Sequence, residues 1–423
     1  MKIEIPLYTV NSTLYQLLVF NTFADSNINL FALLYADDTI LIGESENDLQ
    51  LKLDYFSEYC FKWRLNVNVE KTKIVIFGRK PRRSCLFNKQ CIEIVDEFKY
   101  LGVIFTRNNN FKKNIENQYS KGVNAMYSIL SKWKKHNLSF ECVLDLFDKI
   151  VQPILLYGCE IWGYCNLNLL EKLHMKFCKY ILKFRKCTPN FMIYGELGRF
   201  PLDINVKVRM ITFWAKLVSS HENRIANCMY KLALSRSFPW VKHIEQMLHD
   251  CGLSYVWHSQ SFASIRWLKN TVKRVFIDQF KQKWHDNMYT SSKGINYRIF
   301  KTNHCIENYL VLLPEKLRKI ICRYRTCNHF LPIECGRWQN IIRENRICQL
   351  CSKNEIGDEY HYLFTCDDNE IKNARIRFLP AYYIQRCNTL KYHQLFNTNN
   401  VSLLRKICKL LQIIEVRVKH PLG

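Results

Sequence analysis

Residues 28–43 read INLFALLYADDTILIG. Two apolar runs flank Ala36, Asp37 and Asp38, the pattern of a β-hairpin with an acidic pair at its tip. An acidic turn is ordinary by itself, because Asp favours turns. Here both flanks are apolar, so the turn projects from a buried sheet. Two adjacent carboxylates repel unless a cation neutralises them. Hard divalent ions such as Mg2+ bind carboxylate oxygens beside substrate phosphates, and two such ions stabilise the attacking and leaving oxygens of phosphoryl transfer.

Outward from this pair, Ser45 and Asp48 make a capping-box-like helix start. Leu49, Leu53, Phe56, Cys60 and Trp63 then recur at steps of four and three, so one helix face is apolar. Residues 72–77, TKIVIF, read as a strand, residues 84–95 as a hairpin turning at Asn88-Lys89, and residues 97–106, EFKYLGVIFT, as a further strand. The first hundred residues are thus mixed α and β. Beyond about residue 112 long amphipathic segments dominate, with Pro153, Pro189, Pro201 and Pro239 as breakers between helices and a polar loop near 287–296.

Leu34-Tyr35-Ala36-Asp37-Asp38-Thr39 resembles the catalytic hairpin of reverse transcriptases in the form found in non-LTR (LINE-like, jockey-type) retrotransposons. The resemblance continues in order through Ser57-Glu58-Tyr59-Cys60 and Trp63, Leu65-Asn66-Val67-Asn68 with Lys71-Thr72-Lys73, and Phe98-Lys99-Tyr100-Leu101-Gly102. Four ordered motifs within about 70 residues are far more specific than any one. The resemblance implies an RNA-directed DNA polymerase with Asp37 as principal Mg2+ ligand and Asp38 as its weaker companion. It implies Tyr35 and Lys71 near the nucleotide or primer, though a solvated strand edge explains Lys71 and Lys73 nearly as well. It implies that Phe98 to Gly102 belong to the hairpin that grips the primer end, with Tyr100, Leu101 and Gly102 in the grip and Gly102 allowing close backbone approach. Partners would be an RNA template, a DNA primer and deoxynucleoside triphosphates. The family also places an aspartate on an earlier strand. Asp25 is the one Asp before Tyr35, and its segment Leu18–Asp25 resembles the helix just before the hairpin. On that reading the chain lacks the fingers, the upstream palm and any endonuclease, and little polymerase activity is expected of it alone. A nucleic-acid-binding remnant without chemistry is the alternative.

Lys172, Lys176, Lys179, Lys183 and Lys186 fall at steps of four, three, four and three, one narrow helical face opposite Leu173, Phe177, Tyr180, Ile181 and Phe184. Such a row tracks a phosphate backbone. A solvated surface helix or a membrane-surface helix has the same pattern. A second basic stretch, Lys112 to Lys135, interleaves Tyr119, Tyr127 and Trp133 and by position begins the helical thumb, its aromatics read as core. The segment Pro153 to Trp162 reads as packing.

Cys348-x2-Cys351-x9-His361-x4-Cys366 has the ligand types and spacing of a Cys3His Zn2+ site, and resembles the carboxy-terminal zinc knuckle of the same enzymes. Arg337, Arg343, Arg346 and Lys353 surround it, which suits nucleic-acid contact. A rival set, Cys322, Cys327, His329 and Cys335, has less regular spacing and reads as buried thiols. The chain has 423 residues and 62 Lys and Arg against 37 Asp and Glu, a net charge of +25 that attracts polyanions. Its 19 cysteines, odd in number and irregularly spaced, exclude a secreted disulfide framework. No signal peptide or membrane span is legible, so the expected setting is intracellular, cytoplasm and nucleus. The fold expectation is α+β: a truncated polymerase palm over 1–111, a helical thumb over 112–200, a helical linker over 201–336, a zinc-knuckle-like module over 337–370 and a carboxy-terminal helical segment over 371–423.

Overall fold

The apolar runs beside the acidic pair bond to each other in the computed structural model, which describes residues 15–20 (backbone), 32–77, 84–185, 187–221 and 225–420. Strand β1 is Tyr15–Phe20, β2 Ala32–Tyr35 and β3 Asp38–Gly43. β2 and β3 are antiparallel with Tyr35 opposite Asp38. Helix α1, Glu46–Lys62, follows, and the Ser45 hydroxyl accepts the Asp48 amide at 3.1 Å as an N-cap. Next come β4 (Lys73–Ile76), β5 (Leu86–Phe87), β6 (Gln90–Cys91), β7 (Glu93–Val95), β8 (Glu97–Tyr100) and β9 (Val103–Thr106). The main sheet runs β2-β3-β1-β4-β7, with β1 parallel to both β3 and β4.

Strand alternation gives this sheet two apolar faces. Leu41, Ile74 and Ile76 pack against Leu49, Leu53, Phe56 and Cys60 of α1, closed by Phe87 and Ile92. Ile40 and Val75 meet Phe98 and Tyr100 on the other face. Each fully buried Leu or Phe here stabilises by roughly 1.5–3 kcal/mol.

Three sequence expectations change. Trp63 follows α1 as its C-cap and is 43% exposed, so it leaves the apolar face. Residues 97–106 form a hairpin instead of one strand, because Leu101 (φ 43°) and Gly102 (φ 82°) are both left-handed and reverse the chain. Leu18 to Phe20 belong to β1, not to a helix. A short continuous apolar run has no period to separate the two, and parallel neighbours on both sides favour the strand. Asp25 lies outside the described residues. The Asn88-Lys89 turn forms as expected, with both residues left-handed.

From residue 112 the described chain is helical: α2 (Lys112–His136), α3 (Phe140–Leu146), α4 (Gln152–Leu155), α5 (Cys159–Trp162), α6 (Asn168–Leu182), α7 (Asn190–Leu197), α8 (Leu202–Val218), and shorter and longer helices up to Val401–Lys419. Pro189, Pro201 and Pro239 stand at helix starts, where a missing N–H costs nothing. Pro153 instead sits inside α4, directly after a widened π-turn over Phe147–Val151, and does not break the helix. The helix Ile265–Thr290 runs into the expected polar loop and shortens it to three residues before Gly294–Phe300.

Two units result. One comprises Met1–Lys121, Ile154–Leu167 and Arg209–Ile265; the other comprises Gly122–Pro153, Asn168–Val208 and Arg266–Gly423. The second is organised on α7, whose last six residues are all buried. Its Glu196 carboxylate meets Arg325 (3.0 Å) and Tyr309 (2.5 Å), and Arg325 also pairs with Glu307 at 2.8 Å. A buried charge survives only when neutralised and hydrogen-bonded in this way. No helix among the described residues is long and apolar enough to cross a membrane.

Candidate functional site

The hairpin turn sets the acidic pair. Ala36 is left-handed at φ 53°, a conformation that costs an L-residue about 1 kcal/mol. It reverses the chain so tightly that Asp37 and Asp38 stand together at the sheet edge, partly exposed. Burial, and then the neighbouring Asp37 charge, push the Asp38 carboxyl up from its usual value. Tyr35 projects beside them, 63% exposed. The parallel register pairs Asp38 with Tyr15 and Leu17 with Lys73. Lys71 lies two residues before β4, outside the paired strands. It is exposed, in a turn where its backbone N–H donates to the Asn68 side-chain oxygen at 3.0 Å. Tyr100 packs on the sheet with Ile40 and Val75. Burial, and then the Asp38 charge, raise its pKa. The β1 segment beside Asp38, Tyr15-Gln16-Leu17-Leu18-Val19-Phe20, contains no Asp or Glu.

Leu101 and Gly102 form the β8–β9 turn. A Cβ at Gly102 would stand 2.8 Å from the Tyr157 ring, whose hydroxyl donates to the Leu101 carbonyl at 2.9 Å. Gln118 approaches the Gly102 carbonyl at 3.5 Å. Sequence reasoning missed Tyr157, which read as packing 56 residues from the turn it holds.

The basic helix is shorter than its lysine spacing implied. α6 ends at Leu182, and Lys183 is left-handed at φ 56°, which ends the helical repeat. Lys172 and Lys176 are exposed on α6, and Lys179 is partly covered, with burial lowering its pKa. Lys183 lies past the helix, and Lys186 lies outside the described residues. The row of five on one face is therefore reduced to three. Leu173, Phe177 and Ile181 are buried as expected, whereas Tyr180 and Phe184 are only half-buried.

The Cys348, Cys351, His361 and Cys366 ligand atoms lie within 4.8 Å of one another, and among the described residues no other group of this kind does. Cys348 Sγ and Cys366 Sγ are 3.9 Å apart, and Cys351 Sγ lies 3.4 Å from His361 Nε2. Tetrahedral Zn2+ with its usual bond lengths needs about 3.8 Å and about 3.5 Å for these pairs, so the donor set fits the ion. A short hairpin positions the first two cysteines: Ile347 bridges Ile356, and the Cys348 amide donates to the Glu355 carbonyl at 2.9 Å. A π-turn, His361–Thr365, positions the other two. Glu355 holds His361 Nδ1 at 2.7 Å and so aims Nε2 at the thiols. Hydrogen bonding between Cys348 and Cys366 drives their pKa values apart, Cys348 down and Cys366 up.

The loop is braced from outside residues 337–370. Asn296 and His329 bond the buried Glu359, His329 at 2.6 Å, and Arg375 donates to the Leu363 and Cys366 carbonyls. Arg337, Arg343, Arg346 and Lys353 also serve the fold: they meet Glu334, Asp358, the Ile341 carbonyl and Asp367, respectively. Cys327 and Cys335 donate to backbone carbonyls and do not gather with His329.

The sheet with its acidic hairpin falls within residues 9–105, which match the family of reverse transcriptase (RNA-dependent DNA polymerase); the chain carries a reverse transcriptase domain. It is homologous, at modest identity over part of its length, to the RNA-directed DNA polymerases of non-LTR retrotransposons. The RNA-directed DNA polymerase from mobile element jockey of Drosophila melanogaster is 28% identical over 153 residues, 33% of this chain and 16% of that protein. Its Drosophila funebris counterpart is 28% identical over 160 residues, 35% of this chain and 17% of that protein. The RNA-directed DNA polymerase from transposon X-element of Drosophila melanogaster is 26% identical over 192 residues, 44% and 20% of the two chains. The chain thus spans a fifth or less of the length of these relatives.

Proposed function

We propose that the chain works in RNA-directed DNA synthesis, as the part of a non-LTR retrotransposon reverse transcriptase that carries the acidic hairpin, the primer-end turn and a nucleic-acid-holding carboxy-terminal region. One observation carries this reading: Asp37 and Asp38 stand together at the tip of a hairpin whose sheet packs against Tyr100 of the following hairpin. Asp37 is the principal Mg2+ ligand and Asp38 its companion. Bound there, Mg2+ would neutralise the carboxylates and the phosphates of an incoming nucleotide. Lys71 faces those phosphates, while Tyr35, Tyr100, Leu101 and Gly102 contact the primer end. The basic sides of α2 and α6 hold the template–primer duplex, and the Cys3His site holds a structural Zn2+. In this scheme residues 1–111 are palm, 112–200 thumb, 201–336 linker, 337–370 the zinc module and 371–423 a closing helical segment.

Among the described residues the carboxylate pair is only part of a metal site, since the β1 segment beside Asp38 contains no Asp or Glu. The purified chain should bind a primed RNA template yet extend it little with Mg2+ and deoxynucleoside triphosphates. Extension that disappears in Asp37→Ala would overturn the partial site, and failure to bind the template would overturn the whole reading. The absence of Asp and Glu from β1, together with the +25 charge, favours a second reading: a nucleic-acid binder without chemistry. Adding a polypeptide with the fingers and upstream palm of a jockey-type enzyme separates the two. Extension that requires Asp37 supports the enzyme, and its absence supports the binder.

A further inference from the structure

Cations and aromatic rings alternate where α2 and α6 meet within the helical unit. Lys176 Nζ lies 5.3 Å from the Tyr127 ring, and the Tyr180 ring holds Lys134 at 5.3 Å and Lys183 at 4.1 Å. Two residues further along, the Arg185 guanidinium stacks on two rings at once, 4.6 Å from Phe330 and 4.9 Å from Trp338. Those rings meet edge-to-face at 5.9 Å, and Lys419 Nζ stands 4.3 Å from Phe330. Lys419 also pairs with Glu415 at 2.8 Å, whereas among the described residues Arg185 has no carboxylate partner.

A packing role explains Phe330, which is half-buried. It does not explain Trp338. Trp162, Trp214 and Trp284 are sealed in cores, but Trp338 ends its helix with 46% of its surface in water. An exposed indole beside an unneutralised guanidinium, with Lys419 over the adjoining Phe330 ring, presents a flat π-surface next to positive charge. That combination suits a nucleobase with its phosphate: every base has a π-face, and the cations meet the backbone. A duplex hides its base faces, so the surface selects single strands.

We propose that Trp338, with Arg185, Phe330 and Lys419, is a base-stacking platform for single-stranded nucleic acid. The proposal rests on the nucleic-acid reading above. Its test measures binding of fluorescein-labelled 12-mers, oligouridylate RNA and oligothymidylate DNA, and of a blunt 12-base-pair duplex, to the full zinc-loaded chain. Trp338→Ala should weaken single-strand binding about tenfold or more, change duplex binding less than about twofold, and leave zinc content and thermal unfolding unaltered. Trp338→Phe should restore most of the loss, since a smaller ring still stacks. A loss on one 12-mer alone assigns the platform to that strand type. Single-strand affinity unchanged in Trp338→Ala, or lost equally with duplex affinity, overturns the platform. An intact chain that binds none of the three probes overturns the underlying nucleic-acid reading instead.

Discussion

Replacing Glu355 by Gln separates a metal site from a chance meeting of thiols and imidazole. Glu355 accepts from His361 Nδ1 at 2.7 Å and from the Thr365 hydroxyl at 2.8 Å, while His361 Nε2 faces Cys351 Sγ. The first bond fixes the tautomer and aims the ring. A hydrogen bond to a charged group is worth about 1.5–3 kcal/mol, but the Glu355 side chain is 48% exposed, and water screens about half of it. The remaining 0.75–1.5 kcal/mol or so amounts to about a four- to thirteenfold loss of Zn2+ affinity. That is the low end of what loss of such an outer partner does, as suits an exposed one. Competition with a chromophoric chelator at pH 7.5 measures it, and the Co2+ derivative reports the thiolate ligands by its absorption. Cys348→Ser should abolish stoichiometric binding. Wild-type affinity in Glu355→Gln would refute the orienting role. Metal retained in Cys348→Ser but lost in Cys327→Ser would move the site to the rival cysteines.

Other expectations follow from buried charge and backbone strain. Arg325→Met leaves Glu196 without a cation where Arg325 and Glu196 are both fully buried, while Glu307 keeps Lys301; it should cost about 3–5 kcal/mol by denaturant unfolding, and adding Glu196→Gln should recover part. Burial, with Lys301 and Lys281 behind it, lowers His304 to about 4, and neither ring nitrogen has a hydrogen-bond partner. The unfolded chain binds this proton near pH 6.5 and the folded chain only near pH 4, so stability is full above about 6.5 and drains as pH falls toward 4. Allowing for partial exposure the loss is about 2 kcal/mol, and His304→Leu should flatten that part of the profile. Gly102→Ala forces a Cβ against Tyr157 at φ 82°; a local cost of about 1–2 kcal/mol should appear as faster amide exchange across residues 100–104.

Local chemistry made much of this protein legible from its residues. The alternation around Asp37 and Asp38 specifies a hairpin, Ser45 starts α1, Asn88-Lys89 turns the chain, and the spacing of Cys348, Cys351, His361 and Cys366 selects four groups that do converge. Each of these signals acts over a few residues, through backbone preference, side-chain period or ligand reach. Helix ends were less legible: the lysine steps ran on past Leu182, where a left-handed Lys183 ends α6.

What only the tertiary structure decided is partnership. Nothing local tells β1 to lie between β3 and β4. Nothing local brings Tyr157 to the Leu101-Gly102 turn, or Asn296, His329 and Arg375 to the Cys/His loop. A strand's period states which face is apolar but not which edge will satisfy its hydrogen bonds, and a buried Glu or Arg states a debt without naming the group that neutralises it. Those choices are made by competition among all surfaces of the chain for burial and pairing, and that competition packs Tyr100 against Ile40 and Val75 and leaves Trp338 half in water.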